Sequence, residues 1–78
     1  MIKILITEFL NQEALKILHQ DFNVIYKSES WSDKDYLEKE IHNFDGIIVR
    51  NKTKLDKFLL EKAFKLKFIG RLGVGLDN

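Results

Sequence analysis

Two arginines and a glycine pair carry the chemistry this sequence offers. Arg50 and Arg71 are its only arginines, and each follows a short apolar segment, Ile47-Ile48-Val49 before the first and Phe68-Ile69-Gly70 before the second. A guanidinium presents a rigid fork of donors suited to bidentate capture of a carboxylate or phosphate. Arg71 leads into Leu72-Gly73-Val74-Gly75, where two residues without Cβ would let backbone N–H groups approach an anion closely. Lys52 and Lys54 follow Arg50 and add two ammonium groups. Together these groups make a grip for a small anion. Each also has a plainer reading: a Gly-x-Gly pair is commonly a turn, a lone arginine a solvated surface group, and the two lysines solubilising charges. The third glycine of the dinucleotide fingerprint is missing, because Leu76-Asp77-Asn78 follows, so this loop is not expected to bind NAD directly.

Little else in the chain suggests a reaction. It contains no cysteine, which excludes disulfide scaffolds and thiolate metal sites. His19 and His42 fall near the ends of two expected helices, where an imidazole favours the helix dipole. No metal-ligand cluster and no nucleophile–base pair is visible. Phe9, Phe22 and Trp31 suit caps and packing better than a stacking platform, while Lys34, Asp35, Glu38 and Lys39 read as a solvated helix face. With 13 Lys+Arg against 12 Asp+Glu, no electrostatic footprint for nucleic acid or a membrane surface is present. No apolar run approaches the roughly 20 residues of a membrane span, and the apolar start is too short for a signal peptide. The expected location is cytoplasmic.

Those loops must be positioned by regular elements, and the pattern alternates between two kinds. Residues 2–7, 23–27, 47–50 and 66–70 are short, apolar and rich in β-branched side chains, as strands buried on both faces are. Between them, Asn11 offers a cap for a helix with Ala14, Leu15 and Leu18 on one face. Ser32-Asp33-Lys34-Asp35 has the form of a second cap, ahead of Leu37 and Ile41. Asp56 can cap a third helix through Leu59, Leu60 and Ala63. Four strands alternating with three helices predict an α/β fold with a parallel sheet. Loops leaving the carboxyl ends of parallel strands gather on one edge, which would bring Thr7-Glu8-Phe9, Ser28-Glu29-Ser30, the segment after Arg50 and the Arg71–Gly75 segment together. Three helices over four strands leave part of one face bare, so the chain is expected to expose apolar surface or to self-associate. Asp77-Asn78 is capping chemistry with no helix after it; the expectation is a fragment of a larger protein, with a complete, self-associating chain as the alternative.

The block Gly46-Ile-Ile-Val-Arg-Asn-Lys-Thr-Lys-Leu55, followed about twenty residues later by Leu66-Lys-Phe-Ile-Gly-Arg-Leu-Gly-Val-Gly-Leu-Asp-Asn78, resembles the amino-terminal part of the D-isomer-specific 2-hydroxyacid dehydrogenases. Within the family it is most similar to the members acting on phosphoglycerate in serine biosynthesis. The resemblance covers essentially all 78 residues and implies the first part of a flavodoxin-like substrate domain. The NAD-binding Rossmann domain and the catalytic histidine, arginine and glutamate would lie outside the chain. It implies that the Leu72-Gly73-Val74-Gly75 loop holds the substrate carboxylate through backbone amides. Arg50 would reach the substrate's anionic groups, with Arg71 assisting. Asn51 stands where serine is usual and replaces a hydroxyl contact with an amide one; Leu72 stands where a small residue is usual and narrows the pocket. The implied cofactor is NAD, bound by the other domain and not by this chain alone. The implied partner is a small 2-hydroxy or 2-oxo acid, and the parent would be a homo-oligomer. A non-catalytic anion-binding or interaction module of the same fold remains the alternative.

Overall fold

The computed structural model describes residues 1–72. Within them the elements run β1 (Lys3–Ile6), α1 (Gln12–Asp21), β2 (Asn23–Tyr26), α2 (Lys34–Glu40), β3 (Gly46–Val49), α3 (Lys57–Leu60) and β4 (Phe68–Arg71), with 3₁₀ turns at Ser30–Ser32 and Ile41–Asn43 on either side of α2. All three strand pairings are parallel, in the order β2-β1-β3-β4. That is the order in which a flavodoxin-like sheet begins.

Local chemistry sets the helix starts. The Asn11 side chain accepts the Ala14 N–H at 2.9 Å and opens α1, and Asp56 accepts the Leu59 N–H at 2.9 Å and opens α3. The expected cap at Ser32 is corrected: Asp33 accepts the Tyr36 N–H at 3.0 Å, while the Ser32 hydroxyl donates to the Glu29 carbonyl at 3.0 Å. The serine is consumed by the preceding 3₁₀ turn, and the adjacent carboxylate takes over the free amide. The third helix is a single turn and does not reach Ala63. β4 starts two residues later than the apolar pattern suggests and includes Arg71. The Asp45 carbonyl takes the Lys67 N–H at 2.6 Å just before the strand, and Leu66 packs into the core from outside it.

Both faces of the sheet are apolar, which explains the uninterrupted apolar runs of the central strands. Leu5, Ile47 and Val49 pack on one face against Leu37, Ile41, Phe44 and Leu59 of the α2–α3 layer. Ile4, Ile6, Val24 and Ile48 pack on the other against Ala14, Leu15 and Leu18 of α1, with Leu10 and Phe22. Each fully buried Leu, Ile, Val or Phe among them contributes about 1.5–3 kcal/mol. At the sheet's β4 side cover is thin. Phe68 and Ile69 of β4 are exposed, the part of a sheet face that three helices over four strands leave bare. Phe58 on α3 and Phe64 in the turn beyond it, 83 % exposed, add apolar surface beside it. The Phe68 ring occupies the space that a Cβ on Gly46 would fill, so the glycine there admits a cross-strand aromatic contact.

Candidate functional site

β1 has β2 on one side and β3 on the other, and the chain reverses its direction across the sheet at that strand. Loops leaving the carboxyl ends at such a point part from each other and leave a crevice, the usual ligand position in open α/β sheets. Here the loops after β1, β2 and β3 enclose a cavity of about 290 Å³, lined by Glu8, Phe9, Glu29, Trp31, Arg50 and Asn51 among others.

The two arginines meet at this rim. Arg50, half-buried, donates from Nη1 to the Phe9 carbonyl at 3.3 Å. Arg71 lies in β4 beside Val49, and its Nη1 donates to the Arg50 carbonyl at 2.9 Å. The Leu72 N–H extends the ladder to the Val49 carbonyl at 2.8 Å. Arg50, Arg71 and Leu72 therefore share one edge, as the topology predicts, with Asn51 exposed at its mouth. Each guanidinium has five N–H donors, and among the described residues each spends one on a backbone carbonyl. The expected contributions of Gly73, Val74 and Gly75, and the cap at Asp77-Asn78, lie outside the described residues.

The organiser of the edge is a residue the sequence reading gave no role. Glu8 is only 4 % exposed, although it directly follows the strand and Thr7. Its Oε2 accepts the N–H groups of Arg50 at 2.9 Å and Thr53 at 2.8 Å, and the Thr53 hydroxyl at 2.5 Å; the Lys52 N–H reaches Oε1 at 3.1 Å. Burial alone would raise its pKa, but the Thr53 hydroxyl and the amides of Arg50, Thr53 and Lys52 outweigh that and hold it below the usual glutamate range. Thr53 spends its one hydroxyl proton on the carboxylate. In the 2.7 Å contact between Thr7 and Thr53 hydroxyls, Thr7 is accordingly the donor. With Glu8 ionised the chain of hydroxyls runs from Thr7 to Thr53 to Glu8, and the Thr7 hydroxyl also lies 3.4 Å from the Ile48 carbonyl.

A depressed carboxylate pKa fixes a pH dependence. Its stabilisation is fully present above the unfolded glutamate value of about 4.3 and is lost as pH falls below that, through the lower folded value. Acid titration followed by circular dichroism should therefore show less loss of stability below about pH 4.3 for Glu8→Gln than for the parent chain. Parallel acid profiles for the two would contradict the ionised network.

The far end of the β1 loop is pinned as well. The Tyr26 hydroxyl accepts the Leu10 N–H at 3.2 Å and reaches the Leu10 carbonyl at 3.4 Å. Phe9, held between two anchored neighbours, is 63 % exposed, which corrects the expectation that it packs; Phe22 does pack beneath α1. Lys52 also departs from its solubilising reading, since its ammonium stands 4.8 Å from the centre of the Trp31 ring, a cation–π distance. His19 and His42 are exposed. Among the described residues no group of three His, Asp or Glu side chains is placed to hold a metal ion, no helix is long and apolar enough to cross a membrane, and every buried side-chain nitrogen or oxygen has a hydrogen-bond partner.

A sequence model described as "D-isomer specific 2-hydroxyacid dehydrogenase, catalytic domain" matches residues 4–78. The chain is 42 % identical over 78 residues to a D-3-phosphoglycerate dehydrogenase of Methanocaldococcus jannaschii, covering all of this chain and 14 % of that protein. It is 37 % identical over 78 residues to an (S)-sulfolactate dehydrogenase of Chromohalobacter salexigens, covering 25 % of that protein. In three dimensions it is similar to the PH0520 protein of Pyrococcus horikoshii OT3, with a TM-score of 0.86 and 32 % identity over 99 % of this chain and 22 % of that one. The chain thus spans no more than a quarter of the length of these relatives.

Proposed function

Because the chain belongs to the D-isomer-specific 2-hydroxyacid dehydrogenases, we propose that it is the amino-terminal part of the substrate domain of such an enzyme and supplies one wall of its substrate cleft. The substrate class is a 2-hydroxy acid carrying a second oxyanion, with D-3-phosphoglycerate, and so serine biosynthesis, as the first choice. The observation that carries this reading is the pair of guanidiniums tethered at one rim, Arg71 on the Arg50 carbonyl and Arg50 on the Phe9 carbonyl. Two cationic forks tethered along one edge of the sheet suit an acid with two anionic ends better than a simple hydroxy acid. The two most similar relatives named above point the same way, since phosphoglycerate and sulfolactate both join a carboxylate to a second strong anion.

In this reading Arg50 and Arg71 bind and orient the acid, Asn51 offers an amide at the mouth, and Leu72 with the Gly73-Val74-Gly75 loop receives the carboxylate. The Trp31–Lys52 pair walls the crevice on its outer side. Nicotinamide chemistry belongs elsewhere in the enzyme. The β1–α1 junction, Thr7-Glu8-Phe9-Leu10-Asn11, has no glycine and is closed by the buried Glu8 and Leu10, so it does not suit a dinucleotide pyrophosphate. The 78 residues alone are then inactive.

The full-length protein should be assayed by NADH formation from NAD and a panel of D-3-phosphoglycerate, sulfolactate, D-glycerate and D-lactate. A kcat/KM at least about tenfold higher for an acid with the second anion is expected, the value of one charge-assisted contact. Turnover that favours the singly charged acids would reject the doubly anionic substrate. Absence of any turnover would favour a non-catalytic role for the edge.

A further inference from the structure

We propose that Glu8 is a positioning residue for this site: its buried carboxylate gathers the amides of the Arg50–Thr53 segment and thereby aims the Arg50 guanidinium across the crevice. The inference rests on the functional reading above. Three of four consecutive backbone N–H groups, those of Arg50, Lys52 and Thr53, converge on one carboxylate from a residue more than forty positions earlier in the chain. A loop wound around an anion in this way is a binding nest, and here the protein's own side chain fills it. An incoming acid is therefore met by side chains and not by these amides. The consequence for Arg50 is geometric. Its amide is fixed by Glu8 and its guanidinium by the carbonyl of Phe9, the next residue after Glu8, so one short segment of the β1 loop holds the arginine at both ends.

Glutamine cannot reproduce the arrangement. With its carbonyl oxygen placed at Oε2, its NH2 group faces the Lys52 N–H, donor against donor. Thr53→Val is a gentler probe, because it removes the hydroxyl and leaves all three amides in place.

The test is a mutant cycle in the full-length protein. E8Q should raise KM for the doubly anionic hydroxy acid about tenfold while kcat stays within about threefold. On an Arg50→Ala background the same change should cost less than about twofold, because its effect passes through Arg50. Independent, multiplying losses would assign Glu8 a merely structural role, and an unchanged KM would overturn the inference outright. If E8Q does not fold, T53V carries the test, with a KM rise of about threefold expected and an unchanged KM as the contrary result. Amide hydrogen exchange reads the same contact without turnover. In E8Q the amides of Arg50, Lys52 and Thr53 should exchange about tenfold faster while those of Ile47 and Ile48 hold, and in T53V, which keeps the amide contacts but removes the hydroxyl that holds the carboxylate, about threefold faster; uniform or unaltered exchange in the variant that folds would refute the role of Glu8. A wild-type protein that oxidises no 2-hydroxy acid would remove the functional reading, and exchange would then decide the Glu8 contact by itself.

Discussion

Replacing Arg50 by alanine in the full-length protein is expected to lower kcat/KM for a phosphorylated 2-hydroxy acid by about 30-fold to several thousand-fold, roughly 2–5 kcal/mol of transition-state stabilisation. The size follows from position. Arg50 is half-buried at the point where the sheet changes direction, in a crevice walled by Phe9 and Trp31, so a phosphate or carboxylate bound there loses much of its water and depends on the fork. Lysine at this position should recover only part of the loss, because an ammonium offers charge without paired donors. D-Lactate, lacking the second anion, should lose less than phosphoglycerate if Arg50 takes the distal group, and about as much if it takes the carboxylate. Steady-state kinetics on the three proteins reads all of this. An unchanged specificity constant in Arg50→Ala would remove the residue from the site.

The second large effect concerns stability. Leu5 is fully buried in the central strand β1 and packs with Leu37, Ile41, Phe44 and Ile47. Leu5→Ala should cost about 2–5 kcal/mol through lost burial and the cavity left behind. A core of this size holds only about 3–5 kcal/mol in reserve, so the 78-residue variant should be largely unfolded at room temperature. Ile17, 63 % exposed on α1, should tolerate alanine to within about 0.5 kcal/mol. Urea unfolding followed by circular dichroism distinguishes the two. Similar midpoints would mean that β1 is not the centre of the core.

What could be read from the residues was local. The apolar runs of the central strands β1 and β3 stood out because both are covered on both faces and leave no polar alternation to obscure them, whereas the edge strands β2 and β4, partly exposed, showed only as short apolar segments. Asn11 and Asp56 announced their helices because a cap acts within three residues of itself. Ser32 failed where two capping side chains stand next to each other and only the geometry of the preceding turn decides between them. The end of β4 was misplaced because Leu66 is as apolar as a strand residue yet buries itself from a turn. Arg50 and Arg71 were brought together by the parallel topology alone, which needs only strand direction and adjacency. Glu8 was illegible for the opposite reason. Its partners are more than forty residues away, and an acidic residue after a strand is ordinarily solvated. Only a polar residue pressed directly against an apolar strand hinted at a buried role.

The most direct measurement is a crystal structure of the full-length protein with the doubly anionic 2-hydroxy acid bound. One anionic group should lie about 3 Å from the Arg50 guanidinium, in the crevice between the β1 and β3 loops, with Glu8 still holding the loop amides. An acid bound away from that crevice, with neither anionic group within hydrogen-bond distance of the Arg50 guanidinium, would contradict the assignment.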